Sequence, residues 1–192
     1  MVSIRNSGSS VEERILAAAA ECLVTHGIER VTMTEIARQA RVSRPTIYRR
    51  WPDIRFVLAE VLTKRVAGVL AAIPEGGVDR DAIVARVIAV ARHLRNDEVV
   101  MSVIREAPTI AMTYFADRLG TSQQMLIDAL ASAIEGGQAA GTVRAGDPRG
   151  MAAMCLLITQ STIQSAQTVD HLLDANALDV ELGRVLSGYL KP

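Results

Sequence analysis

The amino-acid sequence predicts an all-α protein of about nine helices, and three observations support this fold class. Hydrophobic residues make up 49% of the 192 residues, yet only 3% of the residues are aromatic. A core built from alanine and aliphatic side chains, with few β-branched runs, favours helices. Apolar residues recur at helical spacing along the chain, and no segment alternates polar and apolar residues as a half-exposed strand does.

The first helix is predicted within VEERILAAAAECLVTHG, residues 11–27. Ser10 and Glu13 have the spacing of a capping box, which satisfies free amides at a helix start. Gly27 suits the helix end, because glycine accepts the left-handed backbone of a C-terminal cap. The apolar residues that share one face of this helix are Ile15, Leu16, Ala19, Cys22 and Leu23.

Two short helices follow, joined by a tight turn. Thr32 and Glu35 form a second capping-box spacing and open a helix of about two turns. Ser43 is expected to cap the third helix, which holds Pro45 in its first turn, where a missing amide hydrogen costs nothing. Pro52 ends this helix, because the residue before a proline avoids helical backbone angles.

The rest of the chain is also predicted to be helical, and its breaks suggest boundaries. A longer helix runs from about Asp53 to Ile73 and ends at PEGG, the clearest break in the sequence. Asp147 and Pro148 fit the first positions of a later helix. The predicted parts are a disordered tail at 1–10, a three-helix head at 11–52, a connecting helix at 53–73 and a helical bundle at 74–192.

Charge is unevenly distributed along the chain. The formal net charge is zero, with 21 basic and 21 acidic residues. Residues 1–65 nevertheless hold 11 basic and 7 acidic residues, so the front is positive and the remainder is equally negative. This asymmetry predicts that only the front of the chain meets a polyanion.

Several kinds of site and location are not expected. Cys22 and Cys155 are too few for a disulfide scaffold or a zinc site, and reduced thiols are typical of a cytoplasmic protein. No apolar run reaches the ~18 residues of a membrane helix. His26, His93 and His171 lack metal-ligand spacing, and no catalytic triad or phosphate loop stands out. We expect no enzyme activity, no metal and no cofactor.

The two short helices at 32–51 predict a helix-turn-helix. In the third helix Ile47 and Trp51 lie four residues apart and can pack inward, while arginine, threonine and tyrosine occupy the outer face. Arginine can bind phosphates or guanine edges, and a tyrosine hydroxyl is a typical phosphate donor. The amides at the capped start of the second helix can bind a further phosphate.

The stretch TEIARQARVSRPTIYRRWPD resembles the helix-turn-helix signature of the TetR family of bacterial transcriptional regulators, and the resemblance covers about residues 11–62. The turn position, often glycine in that family, is Arg41, which would strain a left-handed backbone. Ile54 stands where the family often has lysine, and Arg55 is expected to replace that phosphate contact. The matching positions are Thr34, Ile36, Ala37, Ala40, Val42, Ser43, Thr46, Ile47, Tyr48, Trp51 and Pro52.

The resemblance implies a repressor that binds a palindromic operator as a homodimer and is released by a small-molecule inducer. One alternative is a repressor without a small-molecule ligand, whose residues 66–192 form a dimerisation or protein-partner module. Another is an all-α enzyme in the same residues. The expected DNA-binding residues are Thr32, Thr34, Arg41, Ser43, Arg44, Pro45, Thr46, Tyr48, Arg49, Arg50 and Arg55.

The helical bundle corresponds to the variable ligand-binding half of that family. Few aromatic residues are available there to surround a cation, so the expected ligand is small and apolar or weakly acidic. His93, Arg105 and Arg118 are the expected anchors for an acidic group. The candidate cavity residues are His93, Met101, Arg105, Met112, Tyr114, Phe115, Arg118, Met151, Met154, Thr159 and Gln160.

The dimer interface is predicted on the last two long helices, about 147–166 and 176–190. These helices offer more apolar surface than one core face needs, and a two-fold symmetric helix bundle would bury the excess. The candidate interface residues are Gly150, Met154, Leu157, Ile158, Leu182, Val185, Leu186 and Tyr189.

Overall fold

Nine α-helices and no strand make up the part of the chain that the computed structural model describes, residues 10–28, 30–106 and 120–192. The all-α prediction is confirmed, and PEGG separates the fourth helix from the fifth. In chain order the helices are α1 (Val11–His26), α2 (Met33–Gln39), α3 (Arg44–Tyr48), α4 (Ile54–Ala72), α5 (Arg80–Asn96), α6 (Glu98–Glu106), α7 (Thr121–Ala139), α8 (Pro148–Ser165) and α9 (Ala175–Leu190).

Two helix starts use the caps predicted from the sequence. The Ser10 hydroxyl accepts a hydrogen bond from the Glu13 amide at 3.1 Å, and the Glu13 carboxylate accepts one from the Ser10 amide at 2.7 Å. Asp147 caps α8 by accepting from the Gly150 amide at 2.7 Å. Each bond satisfies an amide that has no partner within its own helix.

The caps of the two short helices differ in part from the prediction. The Thr32 hydroxyl accepts from the Glu35 amide at 3.2 Å, but the Glu35 carboxylate turns to a neighbouring arginine and closes no capping box. Ser43 holds the N-cap position of α3 without capping it, because Pro45 has no amide hydrogen and the Thr46 amide donates to the Ser43 carbonyl. The Ser43 hydroxyl instead bonds the Thr46 hydroxyl at 2.8 Å.

Two hydrophobic clusters form the interior. The head cluster contains side chains of α1, α2, α3 and the N-terminal half of α4, and it buries Ile47 and Trp51 as predicted. The body cluster contains side chains of the C-terminal half of α4 and of α5, α7, α8 and α9. We refer to α1–α3 as the head and to α5–α9 as the body, with α4 running between them.

Two helices contribute to both clusters. Helix α6 places Val99 and Val103 in the head cluster and Val100 and Met101 in the body cluster. Leu62, in the middle of α4, packs against both clusters. Full burial of one such side chain contributes about 1.5–3 kcal/mol. The head is therefore stabilised in part by side chains that a body helix supplies.

Polar contacts fix α6 in the same place. The Ser102 hydroxyl of α6 donates to the Leu23 carbonyl of α1 at 3.4 Å. Arg65 of α4 pairs with Asp97, the residue before α6, at 3.5 Å. Asp97 also accepts from the Val99 amide at 2.9 Å, so one carboxylate starts α6 and joins it to α4.

A buried carboxylate joins α5 to α9. Asp179 is buried, accepts from Arg92 Nε at 2.9 Å and pairs with Arg95 Nη2 at 3.0 Å. Arg95 also donates to the Ala175 carbonyl at 3.4 Å. A buried charge is tolerated only when it is paired, so this cluster sets the register of the two helices.

Helix α7 makes a close approach to its neighbours at Gly137. A β-carbon added there would lie 2.5 Å from Val143 Cγ2, 3.0 Å from Ile83 Cδ1 and 3.1 Å from the Val78 carbonyl oxygen. Glycine at this position lets α7 pack directly against the segment before α5.

Gly137→Ala is expected to destabilise the fold by about 1–3 kcal/mol, because the added methyl group overpacks a filled contact. The matched control is Gly68→Ala in α4, where an added β-carbon meets no described atom within 4 Å. Alanine at that helical position should stabilise the protein by up to ~1 kcal/mol. Urea unfolding checks both variants. A Gly137→Ala variant as stable as the natural chain would contradict the close packing.

Candidate DNA-binding surface, ligand cavity and dimer face

The candidate DNA-binding surface is the exposed side of α3 with the turn before it. Tyr48 is 50% exposed, and Arg44 and Arg49 are exposed as well. Within the described structure neither arginine has an ion-pair partner. A guanidinium without a carboxylate partner is available for a phosphate or for the edge of a guanine base.

Two other arginines predicted to bind DNA form ion pairs within the protein. Arg50 pairs with Glu12 of α1 at 2.9 Å and with Glu60 of α4 at 3.5 Å. Arg55 pairs at 2.8 Å with Asp53, the N-cap of α4. The hydrogen bond from Arg55 lowers the pKa of the Asp53 carboxyl. These two arginines hold helices in place, which separates them from the unpaired arginines of α3.

The segment after α3 is fixed against α4 by Trp51, the single tryptophan of the chain. The prediction that the third helix includes Trp51 and ends at Pro52 is wrong, because α3 ends at Tyr48 and a turn follows it. The Trp51 indole N–H donates to the Glu60 carboxylate at 2.7 Å, and the Arg50 guanidinium lies 5.4 Å from the centre of the indole ring. The ring itself is buried in the head cluster. The direction in which α3 presents its outer face is therefore set by α4, the helix that continues into the body.

The turn between α2 and α3 contains the left-handed residue that the sequence predicts. Arg41 has a φ of 54° and is the single non-glycine residue with positive φ in the described ranges. A left-handed backbone costs a residue with a β-carbon about 1–2 kcal/mol relative to the right-handed form. The Arg41 side chain is exposed, beside the start of α3.

A cavity of about 150 Å³ lies inside the body, next to α4 and α6. Most of its wall is aliphatic and is supplied by α4, α5, α6, α7 and α8. Leu62 and Val103, which also pack in the head cluster, lie on this wall. The polar residues on the wall are Arg86, Ser122, Gln123, Thr159 and Gln160, together with the thiol of Cys155.

Several of these polar groups are already bonded. The Gln123 side chain accepts from the Gly120 amide at 2.9 Å and donates to Gln160 Oε1 at 3.1 Å. The Thr159 hydroxyl donates to the Cys155 carbonyl at 2.8 Å. Burial raises the pKa of the Cys155 thiol to about 11, so the thiol is uncharged at neutral pH.

Arg86 is the charged residue on this wall, and it is absent from the set predicted from the sequence. Its side chain is 20% exposed, and its Nη1 lies 4.0 Å from the carboxylate of Glu75, which is 90% exposed. Its Nε is buried and has no hydrogen-bond partner in the described structure. The spacing of α5 could have indicated that Arg86 points inward, because it lies three residues after Ile83 and four before Val90, on the apolar face of the helix.

The predicted cavity residues are only partly brought together. Thr159 and Gln160 lie on the wall. His93 is exposed on the outer side of α5, where Nδ1 lies 2.8 Å from the Ala89 carbonyl oxygen. Met101 and Met151 are packed in the body cluster, and Met154 is exposed on α8. Outside the described residues are Met112, Tyr114, Phe115 and Arg118 and the side chain of Arg105.

The predicted dimer residues divide between a surface and the interior. Met154, Leu157 and Val185 are exposed apolar side chains on α8 and α9, and Leu157 is 58% exposed. Leu182 and Leu186 instead lie in the body cluster, because α9 turns that stripe toward α5 and α8. Two of the residues predicted for the dimer interface, Leu182 and Leu186, are therefore part of the protein core. Gly150 is exposed, and Ile158 and Tyr189 are half-buried.

Two kinds of site are absent from the described residues. Their side chains contain no group of three or more potential metal ligands from histidine, cysteine, aspartate and glutamate. None of the described helices is both long and apolar enough to cross a lipid bilayer.

Comparison with known sequences identifies the class of protein. The family model described as bacterial regulatory proteins, tetR family, matches residues 15–61, which run from within α1 through α2 and α3 into the first half of α4. The uncharacterized HTH-type transcriptional regulator Rv2250c of Mycobacterium tuberculosis is 51% identical over 190 residues, which cover 99% of this chain and 100% of that protein.

Solved structures share the same architecture. FadR from Bacillus subtilis in complex with stearoyl-CoA aligns with a TM-score of 0.67 and 18% identity, over 92% of this chain and 98% of that one. RolR in complex with resorcinol aligns with a TM-score of 0.67 and 14% identity, over 94% and 87% of the two chains. The fold, the helix-turn-helix and the full-length relative lead to one conclusion: the chain belongs to the tetR family of bacterial regulatory proteins and is a DNA-binding transcriptional regulator.

Proposed function

We propose that the chain is a repressor that binds a palindromic operator as a homodimer and leaves it when a small molecule fills the cavity. The observation that supports ligand control is the position of Val103, which packs in the head cluster and also lines the cavity wall. A molecule that displaces this side chain acts on the cavity and on the head at once. The parts that we assign are a DNA-binding head at 11–52, a connecting helix at 53–73 and a regulatory body at 74–192.

On the operator, the two copies of α3 occupy the major grooves of two half-sites about one helical turn of DNA apart. Arg44, Thr46 and Tyr48 of α3, with Arg49 directly after it, face the groove and its flanking phosphates. The start of α2 and the turn contact the DNA backbone through Thr32, Thr34, Arg41, Ser43 and Pro45. Arg50 and Arg55 act by positioning, since their guanidinium groups are paired within the protein.

Two copies meet through the exposed apolar stripe of α8 and α9. Met154, Leu157 and Val185 lie on this surface, with Gly150, Ile158 and Tyr189 at its margin. A symmetric four-helix contact removes these side chains from water, as the hydrophobic effect favours. The contact also fixes the distance between the two heads.

Release requires that the ligand prefer a body conformation in which the heads no longer match the half-sites. A ~100-fold loss of operator affinity corresponds to a preference of about 2.7 kcal/mol. A few apolar contacts are enough, because each buried methylene contributes about 0.8 kcal/mol. The structures of FadR with stearoyl-CoA and of RolR with resorcinol support a ligand role for the body of this fold. The aliphatic wall favours an apolar or weakly acidic molecule.

Arg44→Ala is expected to weaken operator binding by about 1–3 kcal/mol and to relax the sequence preference at one base pair, if the side chain contacts a base edge. Tyr48→Phe should weaken binding less, because it removes one phosphate donor. Gel-shift titration on a site found by genomic footprinting measures both. Arg149→Ala, an exposed arginine of the body, is the matched control and should change little. Natural affinity in both head variants would rule out this orientation of α3.

Leu157→Arg is expected to dissociate the dimer, because it places a charge in an apolar contact between copies. The control is Leu172→Arg, which changes an equally apolar residue in the exposed segment between α8 and α9. Sedimentation measures the mass of each variant, and circular dichroism checks its fold. If Leu157→Arg remains dimeric, the interface lies on another surface. Leu186 is unsuitable for this test, because its buried side chain is needed for the fold.

Linkage predicts that operator DNA lowers inducer affinity by the same factor by which inducer lowers operator affinity. Calorimetry of free and operator-bound protein, with an inducer found by screening for operator release, measures this factor. Val103→Ala should reduce it, whereas Val90→Ala, which removes the same atoms from the wall without contact to the head cluster, should not. Equal inducer affinities in the two states would refute ligand control and favour a repressor governed by a protein partner.

A further inference from the structure

The partly buried guanidinium of Arg86 and the aliphatic wall around it have a consequence for the ligand. A charged group removed from water is unfavourable unless it is paired. Arg86 Nε is buried without a partner in the described structure, and the carboxylate closest to Arg86 belongs to Glu75, a highly exposed residue at 4.0 Å. An ion pair that is long and exposed stabilises little. The charge of Arg86 is therefore incompletely balanced by the residues described.

We infer that the cavity binds a small aliphatic monocarboxylate, with the carboxylate held by Arg86 and the hydrocarbon part inside the wall. This inference rests on the proposed ligand role of the cavity and specifies its ligand class. A carboxylate can accept two parallel hydrogen bonds from Nε and a neighbouring Nη of one guanidinium. Nε is a buried donor that the described residues leave without a partner.

The remainder of the wall favours an anion over a cation. No aspartate, glutamate or aromatic side chain is among its described residues, so a cationic head group has no partner there. Other polar groups on the wall are already bonded within the protein, Gln123 to Gln160 and Thr159 to the Cys155 carbonyl. The neutral Cys155 thiol places no negative charge opposite a carboxylate.

The size of the cavity limits the hydrocarbon part. The volume is about 150 Å³. A cavity of that size holds a molecule of about six carbon atoms. Arg86 is partly exposed, which places its head group at the solvent side, while Val90, Leu126 and Ile163 line the wall with it. The fitting probe is hexanoate, with its carboxylate at Arg86 and its chain among these aliphatic residues.

Calorimetric titration of the full-length natural chain with hexanoate, 1-hexanol and hexylammonium tests the charge preference. Hexanoate is expected to bind about 10–100-fold more tightly than 1-hexanol, the range expected for a hydrogen bond to a charged group, and hexylammonium should bind weakest. Butanoate should bind about tenfold more weakly than hexanoate, because it buries two fewer methylenes. Equal affinity for hexanoate and 1-hexanol would overturn the inference.

Substitutions at Arg86 test whether this residue causes the preference for hexanoate over 1-hexanol. Arg86→Met should reduce the ratio of hexanoate to 1-hexanol affinity to about one, while 1-hexanol binding changes less than about twofold. Arg86→Lys keeps the positive charge but cannot donate two parallel hydrogen bonds, so it should retain part of the preference for hexanoate over 1-hexanol. This variant replaces Arg86→Met in the test if the methionine variant does not fold. His93→Gln, on the exposed side of the same helix, is the control and should leave the ratio unchanged. An undiminished ratio in both Arg86 variants would overturn the assignment.

Operator release, measured separately by gel shift with the same probes, distinguishes the two proposals. Hexanoate binding that depends on Arg86 but releases no operator would refute the inducer role and leave the carboxylate site intact. Operator release by 1-hexanol at the same concentration as by hexanoate would refute the carboxylate site and leave the inducer role intact.

Discussion

The packing of Val99 and Val103 of α6 against the helices of the head is the contact on which the rest of the structure depends. The head alone has three helices, two of them very short, and short helices are stable only when tertiary contacts bury their apolar faces. Because a body helix supplies part of that burial, the head cannot shift without changing contacts in the body. Leu62 of α4 adds a second shared position.

The position of α3 follows from this arrangement through a short series of contacts. Glu60 of α4 accepts from the Trp51 indole, and Glu12 of α1 pairs with Arg50, so the end of α3 is held by both long helices of the front half. Helix α1 in turn contacts α6 through Ser102. The recognition surface is thus oriented by α4, whose C-terminal half belongs to the body cluster, and by α1, which contacts α6.

The sequence was sufficient to predict the parts that depend on local chemistry. Capping residues, prolines and helical periodicity predicted the helices, and the left-handed turn at Arg41 followed from the family resemblance, in which that position is often glycine. Features that depend on how helices rotate against each other were not predictable. Leu186 and Leu157 look alike in sequence, yet one is in the core and the other is exposed. Arg50 resembles the free arginines beside it, but carboxylates distant in sequence pair with it.

The burial of Cys155 has a consequence for the chemical reactivity of the cavity wall. Oxidants and electrophiles react with the thiolate, and with a pKa of about 11 only about one thiol in ten thousand is ionised at neutral pH. The thiol on the cavity wall is therefore a weak nucleophile at neutral pH.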